Sequence, residues 1–267
     1  TLRVNTRRVS VSAYLARLSV AGLPGRPIGT QGVMLNTPCP VSRLPGFADG
    51  DVSVQDAAAQ LAAPLLLAGA ALPSGARVLD ACAAPGGKTA HLLELADLDV
   101  LALDHDAERL TRVGETLDRL HLHARMQAGD ASQPSTWWDG KPFDAILLDA
   151  PCTASGIVRR HPDVRWLRRP SDVPALAATQ ARLLDALWPL LSPGGRLLYS
   201  TCSVFKAEGQ DQIDAFLQRQ SDASRVVDPP SPGHLLPLPD NQPPAENPGS
   251  AARADGFFYA LLQKNQV

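Results

Sequence analysis

Two cysteines follow apolar runs of the sequence. In "AILLDAPC" the run ends at Asp149 and Cys152 comes three residues later, and in "GRLLYSTC" a second run leads into Cys202. A thiolate is a strong nucleophile, and nearby positive charge lowers the pKa of a thiol. Because both cysteines stand in turns of small and polar residues, we predict that they carry out chemistry rather than fill a core. The nearest residues in sequence that could supply a positive field are Arg159, Arg160, His161 and Arg165.

The other two cysteines, Cys39 and Cys82, are predicted to pack as small apolar residues. No two of the four cysteines form a C-x-x-C pair, and the six histidines have no ligand spacing to them. We therefore predict neither a disulfide framework nor a metal site. Reduced thiols are typical of a cytoplasmic protein, and we expect that location here.

A glycine-rich turn, "DACAAPGGKTA", precedes a predicted helix. Small residues let a ligand approach the main chain, and the start of a helix offers free N–H groups. The turn has neither the spacing of a Walker motif nor that of G-x-G-x-x-G, which disfavours ATP and dinucleotides. Asp104 and Asp130 each end a predicted strand, where carboxylates suit ribose hydroxyls and an adenine amino group. Together with the turn they favour an adenosyl cofactor.

Strands and helices alternate from Arg77 onward, and this alternation positions the candidate residues. The apolar strands are "RVLDA", "DVLALD", "ARMQA", "FDAILLD" and "GRLLYST", and "GFFYALLQK" forms a last strand. Repeated βα units predict an α/β fold with a mostly parallel sheet covered by helices on both faces. Ligands bind beyond the carboxyl ends of the strands in such sheets, which is where the candidate residues stand.

The sequence divides into two predicted domains. Residues 1–50 predict a small α/β subdomain of RRM-like type, and residues 51–267 predict the larger domain. A helix is expected over about residues 54–70, and the Pro-rich stretch 228–248 is expected to form a surface loop. Since the chain does not begin with Met, we expect it to be a piece of a longer protein.

Composition excludes several classes of protein. The 267 residues are 45% hydrophobic and 19% charged with a formal net charge of −2, which is typical of a globular protein. No apolar run reaches the roughly 18–20 residues that span a bilayer, and the first residues have no apolar core of a secretory signal. A nucleic acid would need a local basic face. The segment "IVRRHPDVRWLRR" offers one, with five arginines and an aromatic ring.

One reaction uses such groups together. A thiolate that adds to C6 of a cytosine breaks the aromaticity of the ring and makes C5 nucleophilic toward a methyl group on a sulfonium donor. Loss of the C5 proton and release of the thiolate then restore the ring. An acid near N3 stabilises the developing charge, and Asp149 suits that role if it holds or shares a proton.

These motifs resemble those of the bacterial RNA cytosine-C5 methyltransferases of the Fmu/Sun type. The segments that carry the resemblance are "VLDACAAPGGKTAHLLE", "LALDHDAERL", "FDAILLDAPCTASGIVRRHPDVRW" and "LSPGGRLLYSTCSV", in that order. The resemblance covers about residues 1 to 263. It implies a Rossmann-like methyltransferase fold with a seven-stranded sheet, and methyl transfer from S-adenosylmethionine to a cytosine of 16S ribosomal RNA. Nothing in the chain matches the N-terminal helical RNA-binding domain of this family.

The resemblance also implies roles for individual residues. Cys202 would be the nucleophile that adds to C6, Cys152 would help to release the product, and Asp149 would assist at the ring. The S-adenosylmethionine site would comprise Cys82, Ala83, Ala84, Pro85, Gly86, Gly87, Lys88, Asp104, Asp130 and Asp149. The residues expected to contact RNA are Arg159, Arg160, His161, Arg165 and Trp166.

Four alternatives stay open at the level of sequence. The first is a nicotinamide-dependent oxidoreductase on the same sheet, which the missing G-x-G-x-x-G disfavours. A non-enzymatic RNA-binding module is the second, and both thiols and the strand-end carboxylates argue against it. A DNA cytosine methyltransferase would use the Pro-Cys thiol, Cys152, as its nucleophile, whereas the additional Cys202 favours the RNA type. An enzyme of the same type acting on another RNA, such as tRNA, is the fourth. We expect a monomer with no membrane association.

Overall fold

The computed structural model describes residues 1–70, 72–237 and 254–266, which form a small sheet and a large sheet. The strands are β1 (Leu2–Val4), β2 (Gly25–Ile28), β3 (Gly32–Leu35), β4 (Val52–Val54), β5 (Ala76–Ala81), β6 (Leu98–Asp104), β7 (Arg125–Ala128), β8 (Phe143–Asp149), β9 (Leu191–Thr201), β10 (Ala223–Arg225), β11 (Gly233–Leu235) and β12 (Phe257–Lys264). The α-helices are α1 (Val11–Val20), α2 (Ala62–Leu67), α3 (Gly87–Leu95), α4 (Ala107–Leu120), α5 (Val164–Leu167), α6 (Asp172–Leu187) and α7 (Gln210–Arg219). Among these residues, no helix has the length and apolarity to cross a membrane.

The large sheet has the order β10-β12-β9-β8-β5-β6-β7. Strand β11 pairs with residues 257–259 of β12, and β10 pairs with residues 262–264. The five strands from β9 to β7 are parallel, and β12 runs antiparallel to β9. Val78 and Leu79, neighbours on β5, are both fully buried and belong to different hydrophobic clusters, one on each face. Helices therefore cover both faces, which confirms the predicted α/β, Rossmann-like fold. Over the described residues the sheet has eight strands rather than the expected seven, because the short strand β11 also pairs with β12.

The small sheet is antiparallel, with the order β2-β3-β1-β4. Helix α1 buries Tyr14 and Leu18 against it, and the Ser10 side chain caps the helix by accepting from the Ala13 amide. Strand β4 pairs with β1 and so contributes residues beyond 50 to this sheet. The predicted division of the chain at residue 50 stays a prediction.

The predicted helix over residues 54–70 is wrong in extent. Val54 instead pairs with Leu2 in the small sheet, and the helix α2 covers only Ala62–Leu67 after a 3-10 turn at Ala59–Leu61. The Asp56 side chain accepts a hydrogen bond from the Ala58 amide and fixes a turn between β4 and the 3-10 turn. In the Pro-rich stretch, β11 occupies part of the expected loop, and the prediction for residues 238–248 lies outside the described residues.

A buried arginine joins the small sheet to the large domain. Arg3, on β1, donates to both carboxylate oxygens of Glu94 on α3 at 2.8 and 2.9 Å. It also donates to the Gly87 carbonyl at 2.8 Å and to the Gln55 side chain at 2.5 Å. Because Gly87 begins α3 and follows the glycine-rich turn, this arginine fixes the small sheet against the turn.

We predict that Arg3→Met lowers the free energy of unfolding by about 3–5 kcal/mol, since it leaves Glu94 buried without a partner. Arg3→Met combined with Glu94→Leu should recover most of the loss, because no buried charge then remains. Urea unfolding followed by circular dichroism measures both. The control is Arg125→Met, which breaks an exposed pair with Asp99 and should cost less than about 1 kcal/mol. Equal losses in the single and double variants would contradict this account.

Candidate active site

The two loops that carry the thiols leave neighbouring parallel strands at the same edge of the large sheet. Asp149 at the end of β8 lies opposite Ser200 on β9, and the Ala150 amide donates to the Ser200 carbonyl at 2.9 Å. This register brings the loops side by side, and the Sγ atoms of Cys152 and Cys202 lie 3.4 Å apart as free thiols. The structure therefore unites two residues that are fifty positions apart in the sequence.

The two thiols are electrostatically unequal. The hydrogen bond from Cys152 lowers the pKa of Cys202, although burial opposes this, and the Lys88 ammonium adds to the lowering. The same hydrogen bond, together with burial, raises the pKa of Cys152 well above its usual value. Cys202 is thus the member of the pair suited to be the thiolate, and Cys152 is the member suited to keep its proton.

A pocket of about 290 Å³ opens beside Cys202. Lys88 and Asp149 form an ion pair across it, with 2.6 Å between Nζ and Oδ2, and the Ser200 hydroxyl donates to Asp149 Oδ1 at 2.9 Å. Burial alone would lower the pKa of Lys88, but Asp149 outweighs it and raises that pKa. The pocket therefore places a nucleophile, a cation and a carboxylate around one space. Its other walls include Gln55, Asp56, Asp80, Pro85, Ile157, Arg160 and Phe257.

The glycine-rich turn folds tightly between β5 and α3. Cys82 has a left-handed backbone with φ 66°, and Gly86, which caps the helix, has φ 93°. A Cβ on Gly86 would lie 3.0 Å from the Cα of Val113 on α4, so the turn packs directly on that helix. Burial raises the pKa of the Cys82 thiol, which fits the packing role predicted for it.

Two carboxylates border a second cleft, of about 440 Å³: Asp104 ends β6 as predicted, whereas Asp130 lies in the loop after β7, which ends at Ala128. Asp104 is buried and accepts from the amides of Ala84 and Asp106 at 3.0 and 3.1 Å. Asp130 is exposed, and the amide and hydroxyl of Ser132 hold its carboxylate and lower its pKa. Both predicted positions therefore face one space. The remaining wall comprises Cys82, Leu103, His105, Gly129, Ala131, Pro151, Leu176, Thr179 and Leu183.

A buried carboxylate, Asp80, lines the pocket beside Cys202. Asp80, on β5, accepts from the Thr89 hydroxyl through Oδ2, while its Oδ1 has no hydrogen-bond partner among the described residues. Burial raises the pKa of Asp80 to about 7. A buried polar atom without a partner is costly, so this oxygen indicates a place for a ligand's donor group.

The predicted RNA-contacting segment is divided in two. Arg159 and Arg160 both pair with the buried Asp255, Arg160 through Nε at 2.7 Å and Arg159 at 3.3 Å. His161, Arg165 and Trp166 are exposed, with Trp166 81% exposed and the Arg165 guanidinium 6.0 Å from its ring centre. Arg159 and Arg160 are therefore held by a carboxylate, whereas the other three side chains stay exposed. The sequence could not show this division, because Asp255 lies 95 residues after Arg160.

Sequence reasoning missed a buried carboxylate behind the thiols. Glu208 accepts hydrogen bonds from Thr153 and Ser203, the residues that follow the two cysteines. It also missed Gly156, whose amide donates to the Cys202 carbonyl at 2.9 Å and where a Cβ would collide with the Gly256 carbonyl. The only available signal was their position near the cysteines in "TASG" and "FKAEG".

We predict that Lys88→Met raises the pH at which Cys202 becomes reactive. The lysine charge favours the thiolate, so its removal should raise the pKa of Cys202 and slow alkylation at pH 7 several-fold. Alkylation by iodoacetamide as a function of pH, read at Cys202 by mass spectrometry, measures this. The control is Lys141→Met, an exposed lysine before β8. An unchanged or lower reaction midpoint in Lys88→Met would contradict the assignment.

Comparison with known proteins identifies relatives along nearly the whole chain. A family model described as 16S rRNA methyltransferase RsmB/F matches residues 70–263, and one described as the RsmF/B-like ferredoxin-like domain matches residues 1–42. Proteins named ribosomal RNA small subunit methyltransferase B from Xanthomonas campestris and Vibrio cholerae are 52% and 49% identical over 98% of this chain. The chain spans only 59% and 58% of those two relatives.

Solved structures share the fold. The crystal structure of PH0851 superposes with a TM-score of 0.82 at 31% identity, covering 98% of this chain and 59% of that one. A methyltransferase homolog from Pyrococcus horikoshii has a TM-score of 0.78 at 29% identity, covering 98% and 85%. These matches confirm the resemblance that the motifs predicted. The chain belongs to the 16S rRNA methyltransferase RsmB/F family.

Proposed function

We propose that this chain transfers a methyl group from S-adenosylmethionine to C5 of a cytosine in 16S ribosomal RNA, through a transient bond between Cys202 and C6. The observation that carries the proposal is the thiol pair, 3.4 Å apart beside a pocket that Lys88 and Asp149 line. Membership of the family and the names of the relatives support the substrate class. Cytoplasmic location and a monomeric state stay predictions.

The residues present fit S-adenosylmethionine as the methyl donor. Asp104 and Asp130 border one cleft, and their carboxylates suit the ribose hydroxyls and the adenine amino group. The unpartnered Oδ1 of Asp80 offers an acceptor to the ammonium group of the methionine part. The turn from Cys82 to Lys88 brings main-chain atoms to the same edge. When bound, this cofactor would supply an electrophilic methyl group to C5, with the S–CH3 bond broken and the neutral thioether as the leaving group.

Cys202 would begin the reaction as a thiolate. Its sulfur bonds to C6 of the cytosine, and the ring electrons move toward N3, which leaves C5 as an enamine-like carbon. The Lys88 ammonium donates to Asp149 at 2.6 Å, and a positive charge beside the ring can stabilise the negative charge that develops at N3. Ser200 keeps the Asp149 carboxylate in place during this step.

Cys152 would act after the carbon–carbon bond has formed. Its high pKa arises first from the hydrogen bond to Cys202. Once the Cys202 sulfur is bonded to C6, that charged acceptor is gone, and the Cys152 thiol can ionise more readily. Cys152 is then placed to take the C5 proton, directly or through a relay, and the Cys202 thiolate leaves as the aromatic ring reforms.

The target cytosine must be unpaired or flipped out, because C6 cannot be reached inside a helix. Trp166 is exposed and suits base stacking, and Arg165 beside it suits phosphate. Arg159 and Arg160 stay proposed RNA contacts, with their charge shared with Asp255.

We predict that Cys202→Ala abolishes both methyl transfer and covalent attachment to RNA, whereas Cys152→Ala accumulates a covalent protein–RNA adduct. The first variant removes the nucleophile, and the second removes the group that allows its release. The assay is transfer from labelled S-adenosylmethionine to protein-free small-subunit RNA, with mapping of the modified base and denaturing gels for the adduct. Cys39→Ala is the matched control. An adduct with Cys202→Ala but none with Cys152→Ala would reverse the assignment.

We predict that Arg165→Ala with Trp166→Ala weakens RNA binding by about tenfold while S-adenosylmethionine binding stays unchanged. Both side chains are exposed, so their loss should not disturb the cofactor cleft. Fluorescence anisotropy with labelled RNA and calorimetry with the cofactor measure the two affinities. Arg125→Ala, on the edge strand β7, is the control. Equal loss of both affinities would indicate a folding defect and contradict the prediction.

A further inference from the structure

A buried carboxylate, Glu208, contacts both of the loops that carry the thiols. Glu208 is fully buried and lies in a short 3-10 helix, Lys206–Glu208, after the second thiol loop. Thr153 donates to it from the amide at 2.8 Å and from the hydroxyl at 2.5 Å. Ser203 donates from its hydroxyl at 2.6 Å. One carboxylate therefore binds the residue after each cysteine.

Further contacts fix this carboxylate from the sides. The Gln180 amide, on α6, donates to Glu208 at 3.3 Å and to the Pro151 carbonyl at 2.9 Å. The Glu208 carbonyl accepts from the Tyr199 hydroxyl on β9 at 2.8 Å. The side chain thus accepts four hydrogen bonds, which is close to the full capacity of a carboxylate.

We propose that Glu208 is a positioning residue, which holds the two thiol loops at one separation and keeps the two thiols chemically unequal. This inference rests on the proposed function, because a difference in reactivity between the two thiols matters for catalysis only if the two cysteines have different roles. Glu208 itself does not line the pocket beside Cys202. It acts through Thr153 and Ser203.

The electrostatics agree with the geometry. The pKa of Cys152 is raised first by its hydrogen bond to Cys202 and by burial, and the Glu208 charge adds to this. At Cys202, the Asp149 carboxylate raises the pKa of the thiol and the Lys88 ammonium lowers it. The other titratable groups that interact with the pair are Tyr199, Tyr259 and Arg160. Among the groups that act on Cys152, Glu208 supplies fixed negative charge from outside the pocket.

Removal of the Glu208 charge should therefore reduce the difference in pKa between the thiols of Cys152 and Cys202. In Glu208→Gln the shape is kept, but the charge is lost and the amide N–H₂ faces donor groups. The Cys152 thiol should ionise more readily, and its hydrogen bond to Cys202 should weaken as the loops lose their common anchor. Both changes move the reactivity of the two thiols toward each other.

The test is competitive alkylation of the whole chain at pH 7 with a limiting amount of iodoacetamide, with each cysteine quantified by mass spectrometry. We expect Glu208→Gln to raise the ratio of Cys152 to Cys202 labelling by about tenfold, which corresponds to one unit of relative pKa. Glu115→Gln, an exposed position on α4, should leave the ratio unchanged. Thr153→Val, which keeps the carboxylate but removes one donor, should move the ratio in the same direction by about threefold.

The outcome does not depend on RNA or on methyl transfer, so it separates this inference from the proposed function. Faster labelling of Cys152 than of Cys202 in the unsubstituted chain would overturn the nucleophile assignment, whereas the positioning role is decided by the change in the labelling ratio between the variants. An unchanged ratio in folded Glu208→Gln would overturn the positioning role. If that variant does not fold, an unchanged ratio in Thr153→Val would overturn it equally, with thermal melting used to show that the chain is folded.

Discussion

The parallel pairing of β8 with β9, in the register that sets Asp149 opposite Ser200, is the constraint on which the site depends. Both strands end at the same edge of the sheet, so the loops that follow them lie side by side. A shift of two residues along either strand would move one cysteine by about 7 Å, too far for contact between the sulfurs. The central apolar strands, buried on both faces, make such a shift costly because the whole core packs on this register.

Around that edge, the fold creates opposite environments for chemically identical groups. Cys202 faces the ammonium of Lys88, while Cys152 lies on the side of the Glu208 carboxylate. The carboxyl groups differ in the same way. Asp149 has an ion-pair partner and a hydroxyl donor, whereas one oxygen of Asp80 has no hydrogen-bond partner within the described part of the chain. Separation of acid and base roles between like groups by their surroundings is a general property of active sites.

Much of this arrangement could be predicted from local patterns. Apolar runs of strand length, separated by amphipathic segments, predict the parallel sheet, and the position of Cys152, Cys202 and the aspartates after the runs predicts their common edge. What the patterns could not show are contacts between distant residues. The pairing of Asp255 with Arg160 joins positions 95 residues apart, and that of Glu208 with Thr153 joins positions 55 apart. The helix expected over 54–70 was wrong because Val54 pairs with Leu2 across the small sheet, a preference that no local pattern records.

The most direct measurement of the central claim uses RNA that carries 5-fluorocytosine at the modified position. Fluorine cannot leave C5 as a proton does, so the bond between enzyme and base should persist after methyl transfer. Digestion of the complex and mass spectrometry identify the linked peptide. The account predicts one methylated nucleotide attached to the sulfur of Cys202. Attachment to Cys152, or methylation with no covalent complex, would contradict it.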